Sequence, residues 1–527
     1  MQRPNAQSVR PLAETFAHIA AARGDHPAVV GPREAVSYAA LQRSVVSLSG
    51  GLVSRGLEGA VIAMLLPSDL AYVATMLSIL DRRGVFAPMD AAWPEARLRS
   101  ALEMTRPAAL VVTPEQAERV SGLVATLGSP CELLVVEGRA AEGFRFNTVR
   151  AAPEVPQRHN DLTAPWTEDS LYLVYTSGST GTPNAVEGSH LSLAVFIEWQ
   201  ARTFEVGPEC RVSQLAPTTF DVSLRDFFLP LCTGGTLYIP AAGTRYHPIL
   251  FPRWVAEHRI NLMHSVPSVF KLASEVSWTN AKLKGSFDSL RKLFLSGERL
   301  YVEDARQLQA HLSPDAQLIN FYGPSECTLI KTCFVVPRDC SGLEGDVVPL
   351  GRPIEGCEVR LDGGPDAQSG ELVLESEFLA KGYYRNPELT AAKFSRVARP
   401  DAPRLRAYRT GDLGYRDGQG LLHFTGRKDH QIKVNGNRVE LGEVEHCLRR
   451  MPGVSGAVVV ASDSRQGADP ILSCVYASDG DLAEDQVRAH LLQHLPKYMV
   501  PTNVRRMGEL PLLTNGKVDR KQIASLF

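Results

Sequence analysis

No uninterrupted apolar run in this chain of 527 residues reaches the roughly 20 residues needed to span a bilayer, and the opening MQRPNAQSVRPLAETF lacks the apolar core of a secretory leader. A cytoplasmic protein without a membrane partner is the expectation. Charge of one sign is missing too. Lys and Arg number 56 against 58 Asp and Glu, so the formal net charge is only -2 and no global field recruits nucleic acid. An anionic ligand must therefore be met by a local site. Cysteine is sparse: the nine thiols include no C-x-x-C pair, and the nearest group, Cys327, Cys333 and Cys340, lacks the usual zinc spacing, so reduced, buried thiols are expected. There is no fixed-period repeat, which excludes solenoids and propellers.

What is present is the composition of an ordinary globular protein, 44% hydrophobic and 22% charged, in a chain too long for one core. The first half alternates short apolar runs with amphipathic stretches: VIAMLL (61–66), DLAYVATMLSIL (69–80), AALVVT (108–113), ELLVVEG (132–138), SLYLVYT (170–176), LMHSV (262–266) and LRKLFLSG (290–297). That rhythm predicts an α/β architecture. Between about 340 and 425 shorter β-type runs separated by Gly, Pro, Asp and Asn turns predict a β-rich subdomain. Beyond GRKDHQIKV (426–434), two helical and two strand patterns suffice for a small α+β domain. The expected division is a large, multi-subdomain N-terminal core over 1–428 and a C-terminal domain over 429–527.

In LVYTSGSTGTPNAVEGSH (173–190), Thr176, Ser177, Gly178, Ser179, Thr180 and Gly181 follow an apolar strand directly. Backbone N–H groups and hydroxyls can converge there on a polyphosphate, and glycine permits the close approach. Lacking a terminal Gly-Lys-Ser/Thr, the loop is not a Walker A motif. By itself such a cluster is more often a solvated loop. In company it is more telling: TTFDVS (218–223), LSGERL (295–300), NFYGPSE (320–326), LGRPI (350–354), GELVLESEFLAKGYYRNPELTAAKF (370–394), YRTGDLGYRDGQG (408–420), GRKDHQIKVNGNRVELGEVE (426–445), LPKYMVP (495–501) and NGKVDRK (515–521) follow in order. Together these motifs resemble the adenylate-forming superfamily of acyl- and aryl-CoA ligases, luciferases and nonribosomal peptide synthetase adenylation domains. The wording of YGPSE, GRKDHQIKVNGNRVELGEVE and LPKYMVP is most similar to amino-acid adenylation domains.

The resemblance implies the activation of an amino acid with ATP and Mg²⁺, giving aminoacyl-AMP and pyrophosphate, followed by transfer to the phosphopantetheine thiol of a carrier protein. It implies that the Thr176–Gly181 loop, Gly297, Glu298, Asn320, Tyr322, Gly323 and Asp412 bind the nucleotide, Tyr322 stacking on adenine and Asp412 accepting the ribose hydroxyls. Glu326 would hold Mg²⁺ and Arg427 would contact ribose or phosphate. Lys517 would bridge the substrate carboxylate and phosphate when the C-terminal domain closes. Asp429 would be the hinge of that mobile domain, and the loop around Gly436 would admit the thiol. Because the chain stops soon after Lys517, the carrier is expected to be a separate peptidyl carrier protein.

For the substrate pocket the resemblance implies Asp221, pairing with the α-amino group, and a wall of Val222, Arg225, His264, Phe294, Ser296, Phe321, Leu329 and Ile330 closed by Lys517. Val222, His264 and Ser296 resemble serine-activating pockets, so a small polar substrate such as serine or alanine is favoured. An inward Arg225 admits an acidic one. One departure stands out: where most relatives continue Pro-Lys-Gly-Val, this chain has Pro183-Asn184-Ala185-Val186, and Asn184 cannot neutralise pyrophosphate. Two other readings stay open, an acyl- or aryl-CoA ligase and a catalytically weakened nucleotide-binding partner of a synthetase.

Overall fold

The computed structural model describes residues 9–139, 143–152, 158–178, 183–343, 345–362, 368–400, 402–429, 431–434, 436–462, 470–478, 480, 482–511 and 518–527. The chain divides into two compact units. One comprises Met1–Ala91, Thr105–Val174 and Ala185–Gly426; the other comprises Ala92–Met104, Tyr175–Asn184 and Arg427–Phe527. The second unit thus includes two segments that a linear division after residue 428 assigns to the N-terminal core.

The larger unit rests on two extensive sheets. In the eight-stranded sheet, Val61–Leu65, Val85–Pro88 and Ala109–Val112 run parallel and are buried at every residue, as strands covered on both faces must be. The Leu70–Asp81 helix between two of them begins where Asp69 accepts the Tyr72 N–H, an N-cap that satisfies an otherwise orphaned donor. The strand-helix alternation predicted in the sequence is therefore the alternation of a layered α/β sheet.

The nine-stranded sheet positions the candidate pocket. Leu262–Ser265, Lys292–Ser296 and Gln317–Tyr322 lie side by side and parallel, with His264 paired to Phe294, Phe294 to Ile319 and Ser296 to Phe321. Neighbours in register share a face, so this pairing brings His264, Phe294, Ser296 and Phe321 to one side. Asn320, the adjacent residue on its strand, falls on the other. The β-rich stretch forms a five-stranded sheet in which Cys357–Asp362, Ser369–Ser376, Arg406–Arg416 and Phe394–Arg396 run antiparallel in that order and Leu422–Arg427 also pairs with Arg406–Arg416.

In the smaller unit the strands Val454–Ala461, Leu472–Ser478 and Asn503–Met507 form one sheet, accompanied by the helices Leu441–Arg449 and Glu484–His494. Val439, Val444, Leu448, Val459, Cys474, Tyr476, Val487, Leu491 and Met499 make a core of its own. All nine cysteines are free thiols. Among the described residues no helix is long and apolar enough to cross a membrane.

Candidate active site

The residues of the larger unit expected to meet the nucleotide gather around the end of Gln317–Tyr322 and the turn after it. Asn320 donates from Nδ2 to the Pro349 carbonyl at 2.8 Å, which fixes its amide. The Tyr322 hydroxyl donates to Asp412 Oδ2 at 2.6 Å, and the Thr410 hydroxyl accepts the Asp412 N–H. Burial, with the Asp412 charge beside it, pushes the Tyr322 phenol well up, so it stays a donor. The residue expected to stack on a base thus orients the carboxylate expected to take the ribose. Gly323 must be glycine on packing grounds: a Cβ there would lie 2.1 Å from the Leu329 carbonyl oxygen. The returning backbone makes this close approach through left-handed φ values at Thr328 (59°) and Leu329 (67°), which cost non-glycine residues energy. The same turn buries Glu326 completely, with Oε1 accepting the Tyr383 hydroxyl at 2.7 Å. Gly297 adopts φ 93°, and Glu298 accepts the Ser268 N–H at 3.1 Å near the start of the Pro267–Thr279 helix.

The expected pocket wall converges in the same unit. Asp221 is 4% exposed, and its Oδ1 accepts the Val222 N–H at 2.9 Å. Burial pushes its carboxyl above the usual carboxylate range, against the hydrogen bond from Ser325, and nearby Glu326 reinforces the rise. Val222 leads into the Ser223–Thr233 helix, which carries Arg225 and Asp226 inward among apolar residues. Phe294 stacks on both His264 (centroids 5.0 Å apart) and Phe321 (4.9 Å), while Leu329 and Ile330 are buried beyond the turn. The Asp226 carboxylate accepts from His264 Nδ1 at 2.8 Å and from the Leu215 and Ala216 N–H groups. His264 Nε2 is therefore the acceptor for the Gln200 amide at 2.8 Å, and burial holds its pKa down to about 4. The ring is a neutral, doubly held wall.

Arg225 differs from its neighbours. It is 2% exposed, donates from Nη2 to Ser296 Oγ at 2.7 Å and lies over the Phe321 ring at 5.9 Å. No described residue accepts from its buried Nε or Nη1. Desolvation lowers its pKa to about 10, so the guanidinium remains charged at neutral pH. A buried cation with two unmet donors is costly unless an acceptor arrives.

Other expected residues belong to the smaller unit. Thr176 is buried, Ser177 Oγ donates to the Arg438 carbonyl at 3.1 Å, and the Gly178 N–H donates to Glu443 Oε2 at 3.2 Å. Arg97 donates to the other Glu443 oxygen at 3.0 Å and lies over the Trp93 ring. An anion-accepting loop N–H is thus matched to a carboxylate. Arg427 grips Asp429 through Nε (2.6 Å) and Nη2 (2.8 Å); although partial burial raises the carboxyl, this partner holds it below its usual range. Gly436 turns the hairpin between Gln431–Val434 and Asn437–Glu440 with φ 73°. Asn184 begins the strand Asn184–Ser189. Ser179, Thr180, Gly181 and Lys517 lie outside the described residues.

Sequence reasoning did not single out Gln200, Asp226, Tyr383, Arg97 or Glu443. Asp226 carried a usable signal, a second charge beside Arg225 inside an apolar helix, and Tyr383 lies within the GYYRNPE motif; Gln200 carried none, because only the fold brings it in.

A layered α/β core in which a completely buried carboxylate, Glu326, lies beside the hydrogen-bonded pair Tyr322 and Asp412, together with a small α+β unit, is the architecture expected of adenylate-forming enzymes. The family model of AMP-binding enzymes matches residues 16–384, and that of the AMP-binding enzyme C-terminal domain matches residues 443–517. The chain belongs to the AMP-binding enzyme family, which uses ATP, and its relatives include nonribosomal peptide synthetase adenylation domains. It is 30% identical to enterobactin synthase component F of Escherichia coli K12 over 526 residues, covering 97% of this chain and 39% of that protein's length. Its fold is similar to the Vibrio cholerae adenylation domain AlmE, solved with glycyl-adenosine-5'-phosphate, at TM-score 0.83, 24% identity and coverage of 100% of this chain and 98% of that one. It is also similar to PA1221, a nonribosomal peptide synthetase protein containing adenylation and carrier domains, at TM-score 0.78, 25% identity and coverage of 98% and 84%.

Proposed function

We propose that this protein activates an amino acid as its aminoacyl-adenylate and passes it to the phosphopantetheine thiol of a separate peptidyl carrier protein, in nonribosomal peptide or related natural-product assembly. The observation that carries the reading is Asp221. A buried carboxylate whose pKa is raised by desolvation is poised for a cation, and a substrate ammonium restores its charge. An acyl- or aryl-CoA ligase needs no such partner.

In the first step a carboxylate oxygen of the amino acid attacks the α-phosphorus of ATP, and the bond to pyrophosphate breaks with its electron pair leaving on pyrophosphate. Two anions must meet, so positioning and counter-charge supply the rate. Asn320 and Tyr322 line the base site, Asp412 takes the ribose, and Asp221 holds the ammonium. Arg427 and Lys517 supply positive charge to ribose, phosphate and carboxylate, with Asp429 as hinge between residues 1–428 and the mobile 429–527. Glu326 is a hard oxygen donor fixed by Tyr383, which fits Mg²⁺ held by one carboxylate together with substrate phosphates; bound there, the ion would neutralise phosphate charge. In the second step the thiol, admitted near Gly436, attacks the acyl carbon, the acyl C–O bond to phosphate breaks with its electron pair leaving on AMP, and the S–H proton passes to solvent as the thioester forms. The likeness to a solved protein containing both adenylation and carrier domains supports this acceptor.

Arg225 bears on the choice of amino acid. Its Nε and Nη1 donors and the Ser296 hydroxyl favour a side chain that brings acceptor oxygens, so aspartate or glutamate fits this chemistry better than alanine, with serine the neutral competitor. The test is amino-acid-dependent ATP–pyrophosphate exchange across a full amino-acid panel, followed by loading of a phosphopantetheinylated carrier protein. Exchange with at least one amino acid is expected; none with any member of the panel overturns the proposal.

A further inference from the structure

The smaller unit holds a cluster of ligating side chains that the reaction above does not use. His490 and His494, one helical turn apart on Glu484–His494, share a face of that helix, and Cys447 approaches from the Leu441–Arg449 helix. One ligand atom from each of the three lies within 4.8 Å of the others. Ligand atoms around a tetrahedral zinc ion, at about 2.3 Å for sulfur and 2.0–2.1 Å for nitrogen, are separated by roughly 3.3–3.6 Å. Side-chain rotation alone closes a difference of that size.

The backbone prepares both rings. His494 Nδ1 is 2.8 Å from the His490 carbonyl oxygen, and His490 Nε2 is 3.2 Å from the Cys447 carbonyl oxygen. A carbonyl only accepts, so each of these nitrogens carries the proton and each ring presents its other nitrogen as a lone pair. An N–H tied to a carbonyl is the outer contact that orients metal-binding histidines. The rings sit 4.3 Å apart, and His494 is exposed, which leaves an entry path.

We propose that Cys447, His490 and His494 bind a divalent transition metal, Zn²⁺ foremost, which ties the Leu441–Arg449 helix to the Glu484–His494 helix. Thiolate and imidazole donors select such an ion over Mg²⁺ or Ca²⁺, and water completes the fourth position. On binding, the Cys447 S–H bond breaks, its proton goes to buffer and a sulfur–metal bond forms without redox change. The tethered helix also carries Glu445, which accepts the Val459 N–H at 2.9 Å and Arg520 at 2.6 Å, so the metal would brace a helix already anchored to the sheet.

Co²⁺ titrated into the full chain, reduced and stripped with a chelator, provides the test. One equivalent is expected to bind with a thiolate-to-cobalt charge-transfer band and visible bands of tetrahedral intensity, to be displaced by one equivalent of Zn²⁺, and Zn²⁺ alone should raise the Tm. Cys447→Ser should lose the charge-transfer band, and both it and His494→Gln should weaken binding by at least about 100-fold, beyond what losing an outer contact typically costs. His494 is exposed, so its variant folds, and metal-free melts check both. No cobalt uptake at equimolar micromolar metal, or unchanged affinity in either variant, overturns the site.

Discussion

Among the residues proposed to line the substrate pocket Arg225 stands apart, because a guanidinium shut away from water with Nε and Nη1 unmet asks for an acceptor. If the substrate side chain supplies it, Arg225→Ala should lower kcat/KM for aspartate or glutamate by about 2–5 kcal/mol, roughly 30-fold or more, as for breaking a buried charge pair. Neutral amino acids should change far less. The measurement is pyrophosphate exchange on both substrate sets; an equal fall on both would make Arg225 a packing residue and refute the assignment. Asp221 makes a second prediction with a definite sign. Its carboxyl retains a proton to higher pH than an ordinary aspartate, yet only the carboxylate pairs with an ammonium. The apparent KM for the amino acid should therefore rise as pH falls through that raised value, and Asp221→Asn should show a high KM that hardly varies over about pH 5–8. Parallel pH profiles in the two proteins would remove Asp221 from the ammonium site.

Between strand and turn, the critical element is the Gly323–Ile330 reversal. Adding only a methyl group in Gly323→Ala places carbon 2.1 Å from the Leu329 carbonyl, where neither backbone segment has room to give. A destabilisation of about 1–3 kcal/mol is expected from overpacking, seen as a lower Tm, together with a loss of exchange activity larger than the Tm shift explains, because Glu326 rides on the same turn. Normal exchange in a protein with an unchanged Tm would contradict this account. The elements themselves were largely legible in the sequence: Val61–Leu65, Leu70–Asp81 and Lys292–Ser296 fall where the apolar periodicity puts them, since short buried strands and capped helices are specified locally. Motif resemblance named Asp221, Tyr322, Glu326 and Asp412 as site candidates, and the fold buries Asp221 and Glu326 and joins Tyr322 to Asp412 in one hydrogen bond. What escaped was pairing across distance. Gln200 meets His264 across 64 residues, Tyr383 meets Glu326 across 57, and Arg97 meets Glu443 across 346; no local pattern encodes such partners. Which of the Arg225 donors stay unmet was equally invisible, because only the folded chain shows which acceptors reach them.

At the scale of the whole molecule, a chain with almost no net charge gains little from self-repulsion arguments, and its pH response rests on individual buried groups. Two of these are histidines in the larger unit. His264 is held down to about 4, chiefly by desolvation, and His190 to about 3 for the same reason, with its Nε2 accepting the Leu12 N–H at 3.2 Å. In the unfolded chain both would titrate near 6.5, so below that value the unfolded state binds protons the folded state refuses. Their contribution is therefore fully present above about pH 6.5 and is lost as pH falls toward 4 for His264 and 3 for His190. At 1.36 kcal/mol per pKa unit it amounts to roughly 3 and 5 kcal/mol respectively. Carboxylates titrate in the same acid range, so the wild-type curve alone does not isolate the imidazoles. The difference curve does: denaturant melts of wild type, His264→Gln and His190→Gln between about pH 4 and 7.5 should converge as pH falls, because glutamine keeps a hydrogen-bonding side chain without a proton to gain. Each variant starts less stable at neutral pH through altered packing, but its stability declines less steeply on the acid side. Curves that stay parallel across the range would mean that these rings charge as readily inside the fold as outside it, and the buried-neutral description of both would fail.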